Sequence, residues 1–186
     1  IDPLTDPVAV KRKVGVVPED LALFDRLSGA ETLQFVGRVH GLDDAAIAAR
    51  SDELLTIMEL GRARNDMVAD YSHGMRKKIA LAAALLPAPR MLFLDERFEG
   101  IDALASRQIK DLLSAFVRGG GTVFLTSHVL EIVERLCDRI GIIRAGRLVT
   151  EGPLDALRGS AGLTLEERFI ELLGAERVAT PALDWT

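Results

Sequence analysis

Two short runs have no polar alternation: Met91-Leu92-Phe93-Leu94 and Thr122-Val123-Phe124-Leu125-Thr126. A strand with one wet face alternates apolar and polar residues, so these runs predict inner strands of a parallel sheet, buried on both faces under helices. Few folds accept such strands. The first run ends in two acids, Asp95 and Glu96, followed shortly by Gly100-Ile101-Asp102. In open α/β sheets ligands bind at the carboxyl ends of the strands, so acids at that edge are placed for chemistry rather than solubility.

At 186 residues and 48% apolar composition the chain has material for one domain with a sizeable core. A net charge of -5 argues against a nucleic-acid partner, which calls for a basic surface stripe. Cys137 alone forms no internal disulfide, and neither a signal peptide nor a long uncharged apolar segment occurs. A cytosolic chain is expected. Its opening, Ile1 to Val10, reads as the middle of something already under way, so the expectation is a fragment.

Between these landmarks the sequence predicts a short strand over Val14–Val17, stopped by Pro18. Ser28 and Glu31 fit a capping box opening a helix that stops near Gly41. A second helix starts near Asp44 and ends before Gly61, and Ser72 caps a third that runs to Pro87. A crossover helix from about Ala103 to Val117 joins the two apolar runs. Asp138 to Arg144 and Arg147 to Thr150 read as a hairpin at the end of the sheet, turning at Ala145-Gly146. Thr164 and Glu167 form a further capping box before a small amphipathic helix.

Four motifs then fall in order: Tyr71-Ser72-His73-Gly74-Met75-Arg76-Lys77-Lys78, the run Met91 to Glu96, Gly100-Ile101-Asp102, and Ser127-His128. Together they resemble the signature, Walker B, D-loop and switch-histidine motifs of ABC transporter ATPases, over roughly residues 1 to 150. The signature is usually Leu-Ser-Gly-Gly-Gln. Ser72 and Gly74 match, Tyr71, His73 and Met75 depart, and the whole is similar to a variant found among bacterial exporter ATPases. The resemblance implies an α/β, P-loop NTPase-like (RecA-like) core with an inserted α-helical subdomain from about Asp25 to Leu86, incomplete at its amino end. Residues 1–150 would be a partial nucleotide-binding domain, and residues 151–186 a C-terminal extension with the short amphipathic helix.

Each motif has a physical rationale. Asp95 at a strand end can hold Mg²⁺ through its water shell, and Glu96 can polarise the water that attacks the γ-phosphate of ATP. The alternative is a solvated acid pair. His128 can donate a hydrogen bond to the γ-phosphate, or else cap a helix. Ser72, His73, Gly74 and Met75 open a helix, where a hydroxyl and backbone N–H groups can meet a phosphate, in trans according to the resemblance. An ordinary N-cap is compatible with that. Arg76, Lys77 and Lys78 crowd a first helical turn, which the macrodipole disfavours, so either a nearby anion or a plain solvated face is expected. Gly100 and Asp102 correspond to the D-loop.

Departures matter equally. Where the family has a metal-reaching glutamine after the first strand, Pro18 is followed here by Glu19, a carboxylate that still can coordinate Mg²⁺. Arg97 replaces the usual proline after the catalytic acid, which restores a backbone N–H and frees that turn. No G-x-x-x-x-G-K-[ST] P-loop occurs, and none of Lys11, Lys13, Lys77, Lys78 and Lys110 follows a glycine or precedes Ser or Thr. Truncation ahead of Ile1 is the simplest account. The resemblance therefore implies an ATP hydrolase in its intact form, using ATP and Mg²⁺ and inactive as this chain alone. Its partners would be transmembrane permease subunits and a second nucleotide-binding domain, at the cytoplasmic face of the membrane, with export as the expected direction. One other reading stays open, a noncatalytic half-site lending its signature to another chain's ATP; a soluble ABC protein of translation or repair would carry a tandem cassette or a long coiled-coil insertion, and neither is present in this chain.

Overall fold

The computed structural model describes residues 2–95, 103–158 and 164–172. β1 (Val14–Val17), β2 (Met91–Asp95) and β3 (Thr122–Thr126) form a parallel sheet in the order β1-β2-β3. β2 and β3 are joined through a crossover helix, α5 (Ala103–Arg118), as expected. The sheet belongs to the first of two units, Ile1–His128.

Expected burial on both faces is not what the sheet shows. Gly15, Val17, Leu92 and Leu94 are buried on one face, with Leu92 at 0% and Leu94 at 2% exposure. On the other, Val16 is 56% exposed and Phe124 55%. Val16, Phe93 and Phe124 are register partners and form one row across the three strands. Phe93 and Phe124 hold their ring centroids 5.5 Å apart, so the row shelters itself in part. The reason for the miss is physical: the absence of alternation reports the environment a strand is suited to, whereas burial depends on what covers it. Among the described residues the cover lies on one side.

That cover comes from α4 (His73–Leu85), the last helix of the insert, over β1 and from α5, with Ile109 and Leu113 buried, over β3. α2 (Gly29–Val39) opens on the expected capping box, the Ser28 N–H donating to Glu31 Oε2 at 2.8 Å and the Glu31 N–H to Ser28 Oγ at 3.2 Å. These Ser28 contacts hold the Glu31 carboxyl below its ordinary pKa. Gly41 follows the helix at φ +76°, the left-handed position that glycine takes without a Cβ penalty. α3 (Asp44–Ile57) is capped by Asp43, which accepts from the Ala46 N–H at 2.7 Å. α4 (His73–Leu85) follows a short 3-10 turn over Val68–Asp70. Leu33, Leu55, Met58, Leu60, Ile79 and Leu86 are fully buried between these helices. α4 meets the sheet closely: a Cβ on Gly15 would stand 2.5 Å from the Ala84 carbonyl oxygen. An earlier short helix, α1 (Pro7–Lys11), capped by Asp6 with Pro7 in its first turn, was not anticipated.

The second unit, Val129–Thr186, has its own organisation. α6 (Leu130–Leu136) precedes the hairpin β4 (Arg139–Arg144) and β5 (Arg147–Pro153), which turns at Ala145 and Gly146, both at positive φ. The hairpin was expected at the end of the sheet, but among the described residues β4 and β5 pair only with each other and form a two-stranded sheet of their own, because a hairpin satisfies its ladder locally. α7 (Leu154–Arg158) and α8 (Leu165–Leu172) follow. Glu134 on α6 ties them together, accepting from Arg158 Nη2 at 2.9 Å and from the Leu165 N–H at 3.1 Å. The Arg158 contact first, and the Leu165 N–H after it, hold the Glu134 carboxyl below its ordinary pKa. The Thr164–Glu167 capping box is formed, and Leu165 is buried beside it.

Candidate functional site

Parallel register sets the carboxyl edge of the sheet. Val17 pairs with Leu94, Leu94 with Leu125 and Asp95 with Thr126, so Pro18-Glu19, Asp95 and Ser127-His128 all leave from that edge. Glu19, Asp95 and His128 are solvent-exposed there. The Thr126 hydroxyl donates to Asp95 Oδ1, which fixes the carboxylate at the strand end. From the sequence Thr126 to His128 are expected to leave the sheet on the same edge as Asp95, with no role for Thr126 itself; register adds that it stands directly beside the acid. Glu96, Gly100 and Asp102 lie outside the described residues.

Among the described residues no group of three or more His, Cys, Asp or Glu is assembled to hold a metal. One carboxylate on a strand edge, backed by a hydroxyl, is compatible with Mg²⁺. That ion keeps several waters and is bound through one or two carboxylates together with substrate phosphates rather than in an all-protein cage.

The second group of predicted residues sits at the start of α4. Ser72 is the N-cap, its Oγ accepting from the Met75 N–H at 3.3 Å, so the N-cap reading of this turn holds. Ser72 and His73 are exposed, and Gly74 and Met75 half-buried. Among the described residues a Cβ on Gly74 would meet nothing within 4 Å, so none of them demands glycine there. Tyr71, just ahead, is buried and donates its hydroxyl to the Ala63 carbonyl at 2.7 Å. Burial, with the Asp66 charge as a lesser cause, pushes its phenol above the ordinary pKa.

The basic run corrects an expectation. It is not a solvated face, because Lys77 is buried and Lys78 donates to Gln108 Oε1 at 3.2 Å and lies 3.7 Å from Glu59. Arg76 donates from Nη1 to Asp25 Oδ1 at 2.7 Å and to the Val68 carbonyl at 2.9 Å. Arg76 and Lys78 thus meet the protein's own acceptors. Asp25, Glu59 and Gln108 come from distant parts of the chain, and sequence spacing carries no signal for them.

With this geometry in view, the sequence profile described as "ABC transporter" matches residues 2–99. The chain belongs to the ABC transporter family. It is 37% identical over 161 residues to the daunorubicin resistance ATP-binding protein DrrA3 of Streptomyces coeruleorubidus, covering 87% of this chain and 51% of that protein. The linearmycin resistance ATP-binding protein LnrL of Bacillus subtilis is 37% identical over 142 residues, covering 76% of this chain and 46% of that protein. A solved ATP-binding subunit of an ABC transporter superposes with a TM-score of 0.85 at 30% identity, over 93% of this chain and 73% of that one. The chain spans about half the length of the curated relatives it matches. Its fold is the P-loop NTPase-like fold of an ABC ATP-binding subunit. As an ABC chain it carries, among its described residues, no helix long and apolar enough to cross a membrane.

Proposed function

We propose that the protein containing this chain is the ATP-binding subunit of an ABC exporter, coupling ATP binding and hydrolysis to transport through permease partners at the cytoplasmic face of a membrane. The observation that carries this reading is the alignment of Glu19, Asp95 and Ser127-His128 on one carboxyl edge, where an α/β sheet binds its ligand. Asp95 holds Mg²⁺ and Glu19 is its second carboxylate. Glu96 polarises the attacking water and His128 donates to the γ-phosphate. Ser72, His73, Gly74 and Met75 offer a helix N-terminus to the nucleotide of a second nucleotide-binding domain, and Gly100 and Asp102 form the D-loop between the two. Residues 1–150 are the nucleotide-binding domain and residues 151–186 an extension. Relatives named for resistance to daunorubicin and linearmycin support export as the direction.

ATP supplies the free energy when bound; this chain's residues orient it and its water. Without the backbone cradle and lysine of a P-loop, the edge carboxylates oppose the phosphates, so the 186-residue chain alone neither binds nor hydrolyses ATP usefully. The test compares binding of a fluorescent ATP analogue and phosphate release for this chain with a form that includes the reading frame upstream of Ile1. Binding and turnover by the extended form, abolished in turnover but not in binding by Glu96→Gln, support the enzyme. Equally tight Mg-ATP binding by the short chain would sink the placement of its half-site, and an upstream frame without a P-loop would favour the noncatalytic half-site.

A further inference from the structure

We propose that Arg76 is a positioning residue that locks the signature turn, Ser72–Met75, to the segment carrying Glu19, acting through Asp25. The meaning of those two ends rests on the function proposed above; the lock itself does not. The segment after β1 leaves the carboxyl edge at Pro18 and runs to Leu27 before α2 begins. Its far end is bonded to the stretch that leads into the signature. The Val68 N–H donates to the Leu27 carbonyl at 2.9 Å and the Ala69 N–H to the Asp25 carbonyl at 3.1 Å, and just beyond the segment the Ala30 N–H of α2 donates to the Arg64 carbonyl at 2.8 Å. Ser28 and Met67 form an isolated antiparallel bridge between the same two stretches. Phe24 packs its ring edge-on against Phe35 of α2, centroids 5.0 Å apart, which holds the segment from its other side.

Arg76 closes this arrangement from the signature side. Its position is otherwise unfavourable: a cation in the first turn of α4 opposes the helix dipole, with His73, Lys77 and Lys78 close in sequence. One nitrogen, Nη1, serves both the Asp25 carboxylate at 2.7 Å and the Val68 carbonyl at 2.9 Å. The guanidinium therefore joins three places at once: the start of α4, the turn before Tyr71, and the segment descending from Glu19. The Arg76 side chain is 24% exposed and that of Asp25 61%, so Arg76 is half-buried while solvent screens the Asp25 end of the pair and limits its contribution to global stability. Its effect is geometric. A charge-assisted bond of this length fixes where the turn stands relative to the segment while leaving the fold's overall stability nearly unchanged.

Amide hydrogen exchange on the 186-residue chain, without nucleotide, reads the lock directly. Arg76→Ala should raise exchange about tenfold or more both in residues 68–76 and in residues 25–28, with Leu92–Leu94 and α3 unchanged. Asp25→Ala should give the same pattern, the double variant no more than the larger single one, and Arg76→Lys should restore protection because an ammonium can serve both acceptors. Asp25→Asn, at an exposed side chain, keeps the test open if either alanine variant folds poorly. Faster exchange confined to the first turn of α4, a uniform rise across the chain, or additive single effects would each overturn the lock. In a form able to turn over ATP, Arg76→Ala and Asp25→Ala should lower kcat with little change in KM, and Arg76→Lys should recover it. Unchanged kcat with coupled exchange would overturn the positioning role. An extended form that never binds ATP, with coupled exchange intact, would instead overturn the proposed function and leave the lock standing.

Discussion

The two faces of the β1-β2-β3 sheet share strands and register, and both present apolar side chains, yet one is core and the other is open. Alternate residues of one strand divide between them: Leu92 and Leu94 are at 0% and 2% exposure, whereas Met91 is at 37% and Phe93 between the extremes. Leucine and phenylalanine differ little in what they gain from burial, so the asymmetry lies in the cover and not in the strand. α4 lies against one face, close enough that Gly15 has no room for a Cβ. The same residue type therefore carries different weight on the two faces.

The largest consequence is at Leu92. Leu92→Ala removes a side chain with no exposed surface and leaves a void under α4, so it should cost about 2–5 kcal/mol. Phe93→Ala, one residue along, deletes more atoms but only half-buried ones, and should cost about 1 kcal/mol, chiefly from its contact with Phe124. Urea unfolding of both variants decides it. Equal losses would mean that the open face is covered in solution and that the contrast between the faces is wrong.

Gly15→Ala comes next. The added methyl would stand 2.5 Å from a backbone oxygen of α4, which cannot swing aside as a flexible side chain can. Helix and strand must separate by some tenths of an ångström, at about 1–3 kcal/mol. A midpoint unchanged in urea would show that α4 sits further from β1.

How much of this was legible from the sequence differs by kind of information. The capping boxes at Ser28–Glu31 and Thr164–Glu167, the N-cap at Ser72 and the hairpin turn at Ala145-Gly146 are local, and short-range chemistry dictates them wherever the chain goes. The edge placing of Asp95 and His128 was legible too, because strand ends and apolar runs mark it. What stayed hidden depends on residues far apart in sequence. Thr126 reaches Asp95 across 31 positions and Arg76 reaches Asp25 across 51, and nothing in either neighbourhood announces the other. The open face was misread for the same reason: a run of apolar residues states a preference, and a neighbour must satisfy it.

On the open face the effect on folding shrinks further. Phe124→Ser should change stability by no more than about 1 kcal/mol, because a ring 55% exposed keeps much of its contact with water. It should act on association instead. The row Val16, Phe93, Phe124 is a continuous apolar strip, and such strips draw molecules together. Sedimentation at rising concentration should show less self-association for Phe124→Ser than for the parent chain. If the two associate equally, the strip is not the surface responsible.

The smallest expected change in stability is at Gly74, and it reverses the argument made for Gly15. Both are glycines at positions where a methyl could be added, but at Gly15 the methyl meets a backbone oxygen and at Gly74 it meets nothing within 4 Å. Gly74 is also the second residue of α4, where alanine is the better helix former. Gly74→Ala should therefore leave stability unchanged or raise it by a few tenths of a kcal/mol, about 0.5 at most. None of the described residues needs glycine here, and under the function proposed above glycine allows close approach to another domain's γ-phosphate. Gly74→Asp sharpens the contrast, since its side chain adds a like charge facing the phosphate while an acid in the first turn of a helix is itself favourable for folding. Thermal unfolding of this chain should show both variants at least as stable as the parent. ATP-driven dimerisation of an extended, P-loop-containing form should be weakened by Gly74→Ala and lost in Gly74→Asp. A Gly74→Asp protein that dimerises normally with ATP would return this turn to a plain N-cap.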